Sequence, residues 1–509
     1  MSNNENNKRI IKNSLYLYAR MFIMMAIGLY TSRIILNVLG VDNFGIYNAV
    51  GGIVSVFLII RGSLSASTQR YITFALGEND QNKLSKVFST SIIMHTCIAI
   101  AVVFFAETLG LWFLYNKMII PDDRMFAALW TFQCVIVSTV VMVMSVPHNA
   151  LIIAHEKMGI YAKISLFEVF AKLVFVFMLE YIQYDKLIIY STTLVAIQIA
   201  VRIFYVQYCK KNYQESKFKY QIDKALIKDM GKFAGWSLFG NTAFITYTQG
   251  LNILLNTFFG PAINAARGIA VNIQGYVNQF ITGFQTAINP QITKSYAAGE
   301  YNYLHSLVFR SAKFSYYLIF IISLPIIIET PSILKLWLGE YPEYTVIFAR
   351  LILMSTIINS MANPLITAIK ATGKIKVYES VVGGLMLTIL PVSYVLLRLG
   401  YSPYSVFIVH LTTEIVAQNA RILIVGRQIK LKYMDFIKEV VLKVAAVTVV
   451  SSILPIYLHS QFCHSAMMSV ANCAITLICS LIVIYTIGLN RKERNSITRL
   501  VLRKIKKNG

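Results

Sequence analysis

MFAALWTFQCVIVSTVVMVMSVPHNALI, residues 125–152, runs for 28 positions without one Asp, Glu, Lys or Arg. A bilayer core of roughly 30 Å needs about 20 apolar residues in helical form. This run crosses with residues to spare. An open sheet could not do so, because its edge groups would be left unpaired in lipid. Working outward, similar runs fall at 14–38, 44–68, 87–112, 160–182, 187–209, 233–258, 264–289, 308–332, 344–369, 377–399, 403–426, 439–459 and 466–489. Only 14% of the 509 residues are charged, against roughly 25% in soluble chains. The expected fold class is an all-α integral membrane protein of about fourteen transmembrane helices. No separate soluble domain of normal size fits, and the first run lacks a small-residue cleavage site, so it reads as a retained helix.

The net charge of +24 would suggest nucleic acid in a soluble protein. Here the bases lie between the apolar runs. With a cytoplasmic N-terminus, the cytoplasmic pieces hold 33 Lys and Arg and the opposite loops hold 5. That asymmetry places both termini in the cytoplasm and excludes a nucleic-acid partner. The six cysteines form no C-x-x-C pair and the seven histidines no H-E-x-x-H. Metal ligands, a cofactor and a catalytic constellation are not expected, and the cysteines read as packing residues.

The longest cytoplasmic loop, 210–232, carries seven lysines. It divides the chain into an N-terminal lobe (1–209), the basic linker (210–232), a C-terminal lobe (233–426), two extra spans (427–489) and a basic tail (490–509). An internal repeat agrees with this division. Ala75-Leu76-Gly77-Glu78 recurs as Ala297-Ala298-Gly299-Glu300, and Pro147, Ala154 and Lys157 recur as Pro364, Ala371 and Lys374. Two pseudo-symmetric six-helix lobes around a central cavity are expected, with alternating access. The tail interleaves Ile497, Leu500, Val501 and Ile505 with bases, as in an amphipathic segment on the membrane surface.

Span eight has one polar face: Asn264, Arg267, Gln274, Asn278, Thr282, Gln285 and Asn289. Span seven adds Ser237, Asn241, Thr248, Asn252 and Asn256. Such faces line water or pair tightly with neighbouring helices. Nine bases lie inside spans: Arg20, Arg33, Arg61, Lys172, Arg202, Arg267, Arg350, Arg421 and Lys443. Arg20, Arg350, Arg421 and Lys443 lie near span ends, where snorkelling suffices. Lys172 lies near the midplane, one turn from Glu168. Glu168 and Glu414 are the carboxylates near the midplane; either could bind a coupling ion, and each also has a structural reading, with Lys172 and with Arg421. The excess of bases suits an anionic substrate, and arginine suits phosphate in particular.

Arg33-Ile34-Ile35-Leu36-Asn37-Val38-Leu39-Gly40, Asp42-Asn43-Phe44-Gly45-Ile46-Tyr47, and Pro147 to Lys157 with its counterpart Pro364 to Lys374 resemble the polysaccharide-transporter family of flippases. That family shares a superfamily with the multidrug and toxic compound extruders. The resemblance covers essentially the whole chain. It implies a flippase of the bacterial inner membrane, not an enzyme, and a monomer suits the two-lobe plan. The family moves undecaprenyl-diphosphate-linked oligosaccharide between leaflets for O-antigen, capsule or exopolysaccharide assembly. Membrane lipids are implied as partners, with H+ or Na+ for coupling. Carried over by span and residue type, substrate contacts fall to Arg33, Arg61 and Arg267, then Lys172 and Arg202, with Gln274 and Asn278 on the polar stripe. The main alternative is a cation-coupled multidrug exporter of the same superfamily. It would require deep carboxylates, and the first span has none.

Overall fold

The apolar run that opens the chain breaks at Gly40, where φ is 76°. A left-handed φ costs an L-residue but not glycine. The long helix α1 (Asn3–Ser55) is therefore two helices across this kink, and the kink separates the first two expected spans. The computed structural model describes residues 3–55, 57–116, 118, 120–220, 223–462, 465–491 and 493–495. The side chains of Arg33 and Asn37, and tail residues 496–509, lie outside the described part.

The helices that follow are α2 (Phe57–Gly77), α3 (Gln81–Phe105), α4 (Leu111–Asn116), α5 (Met125–Ala154), α6 (Met158–Leu179), α7 (Lys186–Asn212), α8 (Lys224–Phe259) and α9 (Pro261–Ala297). After them come α10 (Tyr301–Ile328), α11 (Thr330–Leu338), α12 (Thr345–Asn359), α13 (Ala362–Thr372), α14 (Lys376–Arg398), α15 (Ser405–Ile429), α16 (Tyr433–Phe436), α17 (Leu442–Phe462) and α18 (Ala466–Val483). Among the described residues, eight helical segments are long and apolar enough to span a membrane alone, and α12 with α13, bent by 42°, gives a ninth if the pair is one span. The other five expected spans fall on α1, α2, α6, α8 and α9. These helices carry Arg33, Arg61, Glu168, Lys172, Arg267, Gln274 and Asn278.

The repeat is visible in backbone geometry. Asn79 (φ 60°) and Gly299 (φ 71°) hold left-handed turns after α2 and α9, and Glu156 (φ 58°) and Gly373 (φ 76°) do so after α5 and α13. The second pair keeps the spacing of the Pro147 and Pro364 motifs. The first corrects the Ala75 and Ala297 match by two residues, because α2 ends at Gly77 and α9 at Ala297.

The chain forms two compact units, Met1–Thr242 with Thr286–Glu300, and Ala243–Gln285 with Tyr301–Gly509. The division cuts α8 and α9 and not the 210–232 loop. The reason lies in the first unit, where the starting half of α8 joins α2: Ser67 Oγ donates to Met230 O at 3.0 Å and Asn241 Nδ2 to Ser63 Oγ at 2.9 Å. The end of α9 joins there too. A Cβ on Gly77 would meet the Ala297 Cβ at 2.7 Å, so this crossing requires glycine.

In the first unit α5 packs against α1, α2, α3 and α7. Its core includes Ile72, Leu84, Phe88, Leu151, Ile152 and Cys209. Large apolar side chains such as Phe104, Trp112 and Phe126 point outward, as a lipid-facing surface allows. Cys97 is exposed too, contrary to a packing role for every cysteine. At one end, Arg124 ties three elements together. It donates to Asp185 Oδ2 at 2.6 Å and to Asn43 Oδ1 at 2.6 Å, and Asn43 Nδ2 reaches Leu39 O beside the kink at 3.0 Å. Asp185 caps α7 through the amides of Leu187 and Ile188.

Burial alone would push the Asp185 carboxyl up, but Arg124 and the two amides outweigh it and hold it below its ordinary range. A depressed carboxyl adds stability above its unfolded pKa, and that stability fades as pH falls through the folded value. Asp185→Asn should therefore be less stable than wild type near neutrality, by about 1 kcal/mol. The gap should narrow in acid below the ordinary carboxylate range. Thermal unfolding in detergent across pH checks this, and a gap that is constant with pH would count against the charge.

In the second unit α15 packs against α12, α13 and α14, while α17 and α18 pack on each other and on α10. Two polar ties fix that attachment. Beyond the end of α10, buried Glu329 accepts from Asn472 Nδ2 at 2.7 Å and pairs with His459 Nδ1 at 2.8 Å. Nearer its start, Lys313 Nζ donates to Glu493 Oε2 at 2.9 Å.

Candidate functional site: a cationic cavity in the first unit

Five helices converge inside the first unit. On α2, Arg61, Ser65 and Gln69 recur every fourth residue and so share one face. Asn149 of α5, Gln198 of α7, and Tyr161 and Glu168 of α6 complete the polar wall. With Arg20 of α1 they line a cavity of about 390 Å³.

The charges in this cavity are unequal. Glu168 accepts from Lys172 Nζ at 2.6 Å, one helical turn away, and from Gln198 Nε2 at 2.8 Å. Its charge is thus matched locally. Arg20 lies over the Tyr161 ring, 4.7 Å from its centroid, and its Nε has no hydrogen-bond partner among the described residues. The only hydrogen-bond contact of Arg61 there is to Met142 Sδ at 3.8 Å, a weak acceptor. Two guanidinium groups therefore face the cavity with donors to spare. A phosphate or carboxylate would satisfy those donors, and a cation would meet repulsion.

The other expected residues have different settings. Arg267, 9% exposed, donates to Asn252 Oδ1 and Thr248 O, both at 2.8 Å. It ties α8 to α9 within the second unit and is withdrawn from solvent, because burial of a guanidinium requires such partners. Gln274 Nε2 donates to Thr356 Oγ1 at 2.8 Å, joining α9 to α12. Asn278 is exposed on α9. Arg202 is half-buried and does not line the cavity. Glu414 is buried and paired with Arg421. Arg61 and Arg267 belong to different units, and each is placed only within its own.

Sequence reasoning set Arg20 aside as a span-end residue, and it did not single out Gln198, Asn149 or Tyr161. Gln198 had a readable signal, since an amide deep in the run 187–209 is costly against lipid. Arg20 had none. Only the packing of α1 on α6 aims it inward.

No protein-family model matches the chain, and no curated protein matches its sequence. Solved structures match its fold. A multidrug-resistance MATE transporter of the MOP superfamily, in an outward-facing conformation, has a TM-score of 0.70 at 13% identity, covering 84% of this chain and 96% of that one. A mutant MATE transporter gives 0.72 at 12% over the same shares. The fold is that of the MATE transporters of the MOP superfamily. A MOP-superfamily transporter from Pyrococcus furiosus shares it, with a TM-score of 0.65 at 13% identity over 84% of this chain and 96% of that one. The MATE fold confirms the all-helical, multi-pass expectation.

Proposed function

We propose that the protein is a flippase. It moves a diphosphate-linked oligosaccharide on a polyprenyl tail, of the undecaprenyl type, from the cytoplasmic to the periplasmic leaflet by alternating access. The observation that carries this reading is the cavity with Arg20 and Arg61 facing inward and its one carboxylate already paired to Lys172. For the Pyrococcus furiosus transporter of this fold, reversed polarity of the binding pocket suggests a different function. A sugar diphosphate cannot enter hydrocarbon unaided, since each unpaired polar group costs several kcal/mol. A hydrated cationic cavity replaces its water contacts while the tail stays in lipid. The exposed polar face of α9, with Asn278 and Thr282, supports an aqueous path in the second unit as well.

In this reading both termini are cytoplasmic, as the 33-to-5 distribution of bases requires. The lobes are 1–209 and 233–426, with spans thirteen and fourteen as additions, and the protein works as a monomer. Coupling falls to membrane potential or a small cation, with Glu168 as the cavity carboxylate.

Proteoliposomes holding a fluorescent diphosphate-linked glycolipid test the proposal. Protein-dependent arrival of the lipid in the opposite leaflet is expected. A null result, together with pH-driven uptake of a cationic dye, would replace it with a drug exporter.

A further inference from the structure

The turn that follows α5 holds a feature that the cavity does not explain. Glu156 has a left-handed backbone, φ 58°, where its repeat partner is Gly373. A non-glycine residue in this region persists only when its surroundings hold it there. They do so in two ways. His155 bonds Glu215 Oε1 through Nε2 at 2.7 Å, and its ring stacks on Tyr213 at 4.1 Å. Gln81 Nε2 donates to the other Glu215 oxygen at 2.9 Å. The turn is thus anchored to the start of the basic linker.

On its other side the Glu156 carboxylate, 0% exposed, is gripped by three residues from distant parts of the chain. Arg9 Nε pairs with Oε2 at 2.7 Å, Lys294 Nζ with Oε1 at 2.7 Å, and Gln291 Nε2 donates to Oε2 at 2.6 Å. Asn13 Nδ2 holds the Glu156 carbonyl at 3.0 Å. One carboxylate therefore joins the first helix, the end of span four and the end of α9. Close by, Gly77 lets α2 touch Lys294 and Ala297. Helix α9 runs from here into the second unit.

We infer that Glu156 is a latch. Its grip on Arg9, Gln291 and Lys294 closes the face of the protein that bears the N-terminus, and release of α9 from Glu156 opens that face. Buried ion pairs suit this role because they are discrete: made, they fix one geometry, and broken, they leave charges that water must solvate. The inference rests on the alternating-access reading above.

The test places a cysteine at Gln69, on the cavity wall, in a background with its other cysteines replaced. Labelling by a membrane-impermeant maleimide is then compared from each face in oriented vesicles. Wild type should label slowly from the N-terminal face and faster from the other. Glu156→Gln should raise the first rate about 10-fold and lower the second, because one cavity opens to one side at a time. Lys294→Met, which spares the Arg9 and Gln291 contacts, should act in the same direction and more weakly. Faster labelling from both faces would mean unfolding, and an unchanged ratio in both variants would mean a purely structural knot; either overturns the latch. Equal labelling of wild type from both faces would instead overturn alternating access itself.

Discussion

Arg61→Ala should lower glycolipid translocation about 10- to 100-fold at subsaturating substrate and leave folding intact. The figure follows from the expected contact. A hydrogen bond to a charged group contributes about 1.5–3 kcal/mol, and each 1.4 kcal/mol is tenfold. Folding is spared because, among the described residues, the hydrogen-bond contact of Arg61 is the weak one to Met142. Arg61→Lys keeps the charge but loses the planar fork and should lie between alanine and wild type. Arg20→Ala should act in the same direction. The double variant should lose less than the sum of the singles, since both side chains address one anion. Initial rates in the proteoliposome leaflet assay decide the matter. Full activity in Arg61→Ala would remove the cavity from the substrate path.

Glu493→Ala is expected to be strongly destabilising in the second unit, by about 3–5 kcal/mol. Lys313 is 2% exposed at its side chain and Glu493 7%. Removing the carboxylate leaves an ammonium group buried without its partner. The same carboxylate also accepts from the Asn490 amide, so the segment after α18 loses its anchor as well. Glu493→Ala combined with Lys313→Met should recover most of the loss, because a buried pair can be replaced by apolar volume at little net cost. Thermal unfolding in detergent measures both. Equal destabilisation of the single and double variants would assign the effect to packing alone.

Much of this architecture was legible in the chain. Apolar runs such as 125–152 have one physical meaning in a sequence so poor in charge, and they became helices. The kink between the first two spans was written in Gly40, and the Lys172–Glu168 and Arg421–Glu414 pairs in their helical spacing. The cavity was only partly legible. Arg61 was readable because a base inside a span demands a partner. Whether an arginine meets a cavity or a neighbouring helix depends on packing, and the sequence of α9 does not contain that information. Arg267 and Arg20 show the two settings. Arg267, in the middle of a polar stripe, is spent on Asn252 and Thr248. Arg20, near a span end, turns into the cavity. Glu156 was hidden for a further reason: its partners lie 147, 135 and 138 positions away, at Arg9, Gln291 and Lys294.

One span, α6, carries Lys163, Glu168 and Lys172 within its 22 residues. For biogenesis this means a division of labour. A charge at mid-membrane costs roughly 2.5–3.5 kcal/mol on insertion scales, and α6 carries Glu168 and Lys172 together. Such a helix partitions weakly from the translocon as a lone segment. Its neighbours α5 and α7 partition readily, and Gln198 of α7 supplies a bond to Glu168. Helix α6 thus enters lipid as a member of a bundle, escorted by apolar neighbours, and the charges beside the cavity are those that make the nascent chain depend on company.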